Sequence, residues 1–163
     1  MFIWMRALTY ASLFTAVVFV FAPAWVLGQA GISGPGSIGP FQIVGAALVL
    51  IGAATALLCV LAFARFGRGT PAPFDPPRRL VTRGPYRVVR NPMYLGAGFA
   101  LVGAAAFYGS IAVLAYTGFL LLASHVFIVA YEEPTLRRTF GNEYVEYTRR
   151  VRRWWPRLSS GKN

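Results

Sequence analysis

Residues 7–64 hold no charged side chain, and neither do residues 91–131. Inside a bilayer the backbone has no water to pair with, so long uncharged apolar stretches must satisfy their own hydrogen bonds. A helix needs about 20 apolar residues to cross the hydrocarbon layer. Four segments are expected to do so: 7–27, 41–64, the shorter 93–108, and 111–131. Only Gly109 and Ser110 separate the last two, which predicts a tight antiparallel helical hairpin. The expected fold is therefore all-α and integral to the membrane, one domain over residues 1–163. Small residues crowd the spans, as in "GAALVLIGAATALL" and "GAGFALVGAAA", and let membrane helices approach closely.

Only 13% of the 163 residues are charged, about half the share of a soluble domain. The net charge of +11 would suggest nucleic acid if the basic residues covered a soluble surface. Instead Arg6 stands alone, seven arginines fall within residues 65–90, and eight basic residues fall within 137–162. Basic clusters between uncharged spans mark cytoplasmic loops, where they also meet anionic lipid headgroups. An even number of spans then puts both termini and the long middle loop in the cytoplasm, the cell inner membrane being the expected location. The first apolar stretch is longer than the core of a signal peptide, so it is expected to be retained. A lone cysteine, Cys59, and a lone histidine, His125, exclude an intramolecular disulfide and the usual multi-ligand metal sites.

Two loops carry more chemistry than an anchor needs. In "RGPYRVVRNPMYLGAGF" (83–99), Pro85 and Pro92 bias the residues before them away from helix, and Pro92 suits the first turn of the third span. Arg83, Arg87 and Arg90 recur at three- to four-residue spacing, so a helical turn would put them on one side. In "HVFIVAYEEPTLRRTFGNEY" (125–144), Glu132 and Glu133 end the fourth span. A carboxylate near hydrocarbon is costly, and a helix C-terminus disfavours anions as well. These acids need partners, either the Arg83–Arg90 cluster or a cationic or hydroxyl-rich ligand. Adjacent positions on a helix diverge by about 100°, so at most one acid readily faces a given pocket centre. Beyond Pro134, Leu136, Phe140, Tyr144, Tyr147, Val151 and Trp154 step by three or four. That pattern predicts an amphipathic cytoplasmic helix lying over the loops.

Together, "RGPYRVVRNPMYLG" and, about forty residues later, "EEPTLRRTFGNEYVEYTRRVRRWWP" resemble the isoprenylcysteine carboxyl methyltransferase and phospholipid methyltransferase superfamily of integral membrane enzymes. The resemblance covers residues 83–156; the first two spans match only as generic membrane helices. It implies S-adenosyl-L-methionine bound on the cytoplasmic side, between the last helical hairpin and the C-terminal segment. The family's Arg-His-Pro-x-Tyr-x-Gly falls on Arg90, Asn91, Pro92, Tyr94 and Gly96. Asn91 replaces the commoner histidine, and an amide still donates and accepts hydrogen bonds. The family's Gly-x-Gly falls on Gly96 and Gly98, and its paired glutamates on Glu132 and Glu133.

The resemblance implies catalytic roles for Arg90 and Glu132. It implies cofactor contacts for Arg87, Asn91, Tyr94, Leu95, Gly96, Gly98, His125, Glu133, Tyr144 and Trp154. Arginine could pair with the cofactor carboxylate, Glu132 or Glu133 with its ribose hydroxyls or ammonium, and aromatic rings with its adenine or sulfonium. The glycines would let the backbone approach. The methyl acceptor would be lipophilic and enter from the bilayer. A carboxylate acceptor needs only Arg87 or Arg90 to hold it, whereas an amine acceptor needs Glu132 or Glu133 as base. Two other classes compete: a non-enzymatic membrane protein whose basic face binds anionic lipid or a partner, and a haem protein using His125. The first leaves Glu132 and Glu133 without a reason, and the second has a single histidine to work with.

Overall fold

The structure, a computed structural model, describes residues 16–67 and 78–157. Arg6 and the opening of the expected first span, loop residues 68–77, and the tail with Lys162 lie outside the described residues. Helices and turns with no strand make up the described residues. A π-helical turn at Val17–Phe21 precedes α1 (Ala22–Gln29), and α2 (Pro40–Ala62) runs into another at Phe63–Gly67. A 3-10 turn at Gly84–Arg87 leads to α3 (Pro92–Tyr108) and α4 (Ile111–Phe127). A third π-helical turn at Ile128–Glu132 then joins α5 (Glu133–Arg150).

The hairpin forms where expected, for local reasons. Gly109 adopts φ 63°, the left-handed C-cap that favours glycine, and its N–H closes α3 on the carbonyls of Ala105 and Ala106. Ser110 then caps α4, its hydroxyl accepting from the Val113 N–H at 3.3 Å. α2 and α3 are antiparallel as well: Gly45 meets Gly103 and Phe107, whereas Gly52 meets Gly96 and Ala100. These reversals bring the C-terminal ends of α2 and α4 to the same end of the bundle as the start of α3. That shared end is what lets the arginine turn meet the twin acids.

Two stretches, Pro40–Gly67 and Ile111–Arg150, are long and apolar enough to cross a membrane; Val17–Gln29 and Pro92–Tyr108 are shorter apolar helices. Phe41 and Ile111 are 77% and 79% exposed, and Leu50 and Phe119 are also turned outward. Apolar surface this extensive matches lipid better than water.

The tail departs from the expected single amphipathic helix. α5 is broken at Gly141, where φ is 53° and ψ −126°. An unbroken helix would place Arg153 about 30 Å from Glu133 at roughly 1.5 Å per residue, yet Arg153 Nε lies 2.7 Å from Glu133 Oε1. The chain therefore folds back at Gly141. Tyr144, Tyr147 and Val151 pack against Leu80, Leu136 and Phe140, so the apolar stripe closes a hairpin over the middle loop.

A Cβ at position 141 would meet nothing within 4 Å, which makes Gly141→Ala a test of backbone conformation alone. Strain of about 1–3 kcal/mol is expected. Amide exchange should then accelerate across residues 142–153 and stay unchanged across α3 and α4. Uniform acceleration would contradict the fold-back.

Candidate active site

The site grows from the short turn before α3. Gly84 takes φ 63°, Pro85 starts the turn, and Tyr86 swings inward against Phe63, edge to face with centroids 5.3 Å apart. The turn ends at Arg87 and the next residues are irregular, so the expected sharing of one face by the three arginines does not occur. Arg83 lies over the Phe66 ring, Arg87 points to solvent, and Arg90 alone turns inward. The folded-back tail fixes that last position. Arg90 N–H donates to Arg152 O at 2.9 Å and Asn91 N–H to Arg153 O at 3.3 Å. Tyr147 O–H donates to Tyr86 O at 2.7 Å.

The twin acids arrive from the third π-helical turn and divide the work, as their divergence on a helix requires. Glu132 accepts from Tyr94 O–H at 3.0 Å. Glu133 takes a two-point contact from Arg153, Nε at 2.7 Å and Nη2 at 2.8 Å, and Arg90 Nη1 stands 3.1 Å away. The same Nη1 donates to Tyr144 O–H at 3.3 Å. Burial raises the Glu132 carboxyl above the usual carboxylate range; the Tyr94 hydrogen bond opposes this, and the neighbouring Glu133 charge adds to it. Burial pushes Glu133 upward too, but the Arg153 hydrogen bond and the charges of Arg90, Arg153 and Arg137 outweigh it and hold that carboxyl low. The two neighbouring carboxyls are thus pushed in opposite directions, Glu132 up by burial and Glu133 down by its arginines.

Two hollows share this wall. The inner one, about 320 Å³, falls within the roughly 300–1,000 Å³ of small-molecule pockets. Its lining is mostly apolar and aromatic, including Phe63, Tyr86, Met93, Tyr94, Phe127 and Tyr131, with Asn91 and Glu132 among the polar groups. The outer cleft, about 570 Å³, is lined by Arg137, Arg153, Thr148, Val129 and Pro134. Arg90, Glu133 and Tyr144 line both. Among the described residues, Asn91 Nδ2 and Arg90 Nε are buried without a hydrogen-bond partner.

Several expected contacts lie elsewhere. His125 and Trp154 bind each other, Trp154 Nε1 donating to His125 Nδ1 at 3.2 Å, and neither lines a hollow. Gly96 faces α2, where an added Cβ would lie 2.9 Å from Gly52 O, and Gly98 faces Leu121 of α4. Their bare backbone lets these helices pack closely. Leu95 is half-buried in the first turn of α3, where its N–H donates to Asn91 O. Conversely, Arg153, Arg137, Tyr86 and Tyr147 belong to the site without having been singled out. The three- to four-residue stepping ran on past Gly141 and so concealed the reversal that brings Arg153 home.

The phospholipid methyltransferase family model matches residues 41–143, which is well over half of the chain. The chain belongs to this family. The match takes in α2, which the resemblance above treated as generic, and ends before the tail that closes the site. Over 80 residues this family member is 34% identical to the cobalt-zinc-cadmium resistance protein CzcN of Cupriavidus metallidurans. It is 34% identical over the same length to the nickel-cobalt-cadmium resistance protein NccN of Alcaligenes xylosoxydans xylosoxydans. Each match covers 49% of this chain and 37% of the relative, well under two thirds of the relative's length. No solved structure matches. Among the described residues, no group of three or more His, Cys, Asp or Glu side chains could hold a metal ion.

Proposed function

We propose that this phospholipid methyltransferase family member transfers a methyl group from S-adenosylmethionine to a lipophilic acceptor. The acceptor reaches the inner hollow from the bilayer, at the cytoplasmic end of four membrane spans. One observation carries the reading: Asn91 Nδ2 and Arg90 Nε are buried without partners, on residues that line the same hollow as Glu132. An unmet buried donor costs about 1–3 kcal/mol, so two of them on consecutive residues suit a ligand that accepts from both. The residues fit the cofactor. Arg90 and Asn91 would hold its carboxylate, Glu132 its ribose hydroxyls or ammonium, and the Tyr86 and Tyr94 rings its adenine or sulfonium.

When bound, S-adenosylmethionine supplies a methyl carbon already activated by its sulfonium. What the chain adds is alignment and exclusion of water. The folded-back tail is bonded to residues 90 and 91 at the edge of the site. Glu132 can hold the proton that an amine acceptor gives up, and a carboxylate acceptor would need only Arg90 to orient it. Anionic headgroups around the basic loops would keep this end at the membrane surface.

Titration of the purified chain with S-adenosylmethionine tests the assignment. Asn91→Leu should weaken binding by about ten- to a hundredfold, the equivalent of one lost hydrogen bond to a charged group. Its thermal stability should hold, because an unpartnered amide has been removed. Undiminished affinity in Asn91→Leu would overturn the placement. Incubation with labelled cofactor and total lipid extract, followed by mass analysis of methylated products, identifies the acceptor.

Tyr94→Phe tests the role of Glu132. Without the Tyr94 hydrogen bond the Glu132 carboxyl rises further. A transfer step that needs Glu132 ionised should therefore fail at higher pH than in the parent as the medium is acidified. An unshifted profile would exclude Glu132 as the base.

A further inference from the structure

The outer cleft is left unexplained by the methyl-transfer reading. Its wall carries three guanidinium groups, on Arg90, Arg137 and Arg153, against a single carboxylate, Glu133. Glu133 is already bonded: Arg153 gives it Nε and Nη2, and Arg90 gives it Nη1. The Arg153 Nη1 edge stays available, and Arg137 forms no ion pair with an acid among the described residues. Tyr144 O–H accepts from Arg90, which leaves its own proton free to donate. The Thr148 hydroxyl adds nothing, because it donates to Val145 O at 2.8 Å. The cleft therefore presents a formal surplus of two positive charges, one of them on the Arg90 it shares with the inner hollow, and three donor groups without a partner among the described residues, on about 570 Å³ of space.

That surplus matches one chemistry. A phosphate monoester carries about −1.5 to −2 charges near neutrality and three acceptor oxygens, and arginine binds it through paired N–H groups. Val129, which belongs to the last turns before the twin acids and is 43% exposed, forms the apolar edge of the same cleft. A group resting there has arginine on one side and an exposed apolar side chain on the other.

We infer that the outer cleft is a phosphate-binding site adjoining the inner hollow, with Arg137 as the arginine that lines this cleft only and forms no ion pair among the described residues. Diffuse attraction between basic loops and lipid is thereby narrowed to one place. The phosphate can arrive on a lipid headgroup or free in solution, and the two sources are separable.

The full chain, purified in a phosphate-free detergent, is first unfolded thermally with and without inorganic phosphate. It is then placed in nanodiscs of phosphatidylcholine with a minor share of phosphatidic acid, and the lipid it retains is counted by native mass spectrometry. Arg137→Gln should lower occupancy about tenfold, and Arg137→Lys should fall between it and the parent because it keeps charge and loses the paired geometry. Arg149→Gln, an exposed arginine outside the cleft, should change nothing. Stabilisation by phosphate alone supports the site with a soluble source, and retention of phosphatidic acid alone supports it with a lipid source. Failure of both, or equal losses in Arg137→Gln and Arg149→Gln, would overturn it. No methyl donor is present in either arm, so the outcome is independent of the methyl-transfer reading.

Discussion

Glu133→Gln will open the site and cost at least tenfold in S-adenosylmethionine affinity. The Glu133 carboxylate is the hub to which Arg153 and Arg90 both attach, at 2.7 and 3.1 Å. Those three side chains are 20%, 29% and 14% exposed. Removing one partner of a buried pair costs about 3–5 kcal/mol because charges are left uncompensated. Partial exposure here lowers that figure to roughly 1–3 kcal/mol once solvent screening is allowed for. The loss falls on the tail, since Arg153, just past the end of α5, ties that tail by its side chain to Glu133 at the start of the same helix. With the tail loosened, Arg90 and Asn91 lose their backbone partners at Arg152 and Arg153 and no longer present their unpartnered donors together.

The signature should be a drop in affinity with faster exchange at residues 142–153, while the α3–α4 hairpin holds its protection. Arg153→Gln should reproduce it, and the double variant should cost less than the two single losses added, because both remove one interaction. Full additivity would mean that Arg153 and Glu133 act separately.

The parts of this site legible in the sequence were those set by local rules. Gly109 and Ser110 announce the hairpin because a left-handed C-cap followed by a serine cap is chemistry written within a few residues. The meeting of the arginine turn with the twin acids followed from span count and charge placement, and Arg90 stands 3.1 Å from Glu133. What escaped were the choices made by tertiary contacts. Arg90 and Arg87 have equal claims by spacing, and it is contacts distant in sequence, to Glu133, Tyr144 and the Arg152 carbonyl, that hold Arg90 inward. His125 and Trp154 looked like pocket residues, yet each is satisfied by the other across 29 positions. Gly141 hid inside an unbroken apolar rhythm, because a glycine that breaks a helix and one that rides in it read alike.

Gly52→Ala should be more damaging than its size suggests. A methyl group at this position would meet Gly96 O and stand 2.6 Å from Ala100 N. Both are backbone atoms of α3, so no side chain can rotate away and the helices must part. Overpacking a tight core costs about 1–3 kcal/mol, and a backbone obstacle belongs at or above the upper end. For a chain of this length, 3 kcal/mol corresponds to a fall of roughly 6–12 °C in Tm. Intrinsic preference points the other way, since alanine favours a helix over glycine by about 1 kcal/mol; a loss can therefore only come from packing. Gly118→Ala in α4 is the matched control, with nothing within 4 Å of the added carbon, and should leave Tm unchanged or raise it. The consequence reaches the site because Gly52 meets α3 at Gly96 and Ala100, just beyond its first turn, which carries Tyr94 and follows the N-cap Asn91. Displacing them moves the Tyr94 hydroxyl off Glu132, so Gly52→Ala should lose cofactor affinity together with stability. A variant that lost stability and kept full affinity would show that the α2–α3 contact does not set the geometry of the hollow.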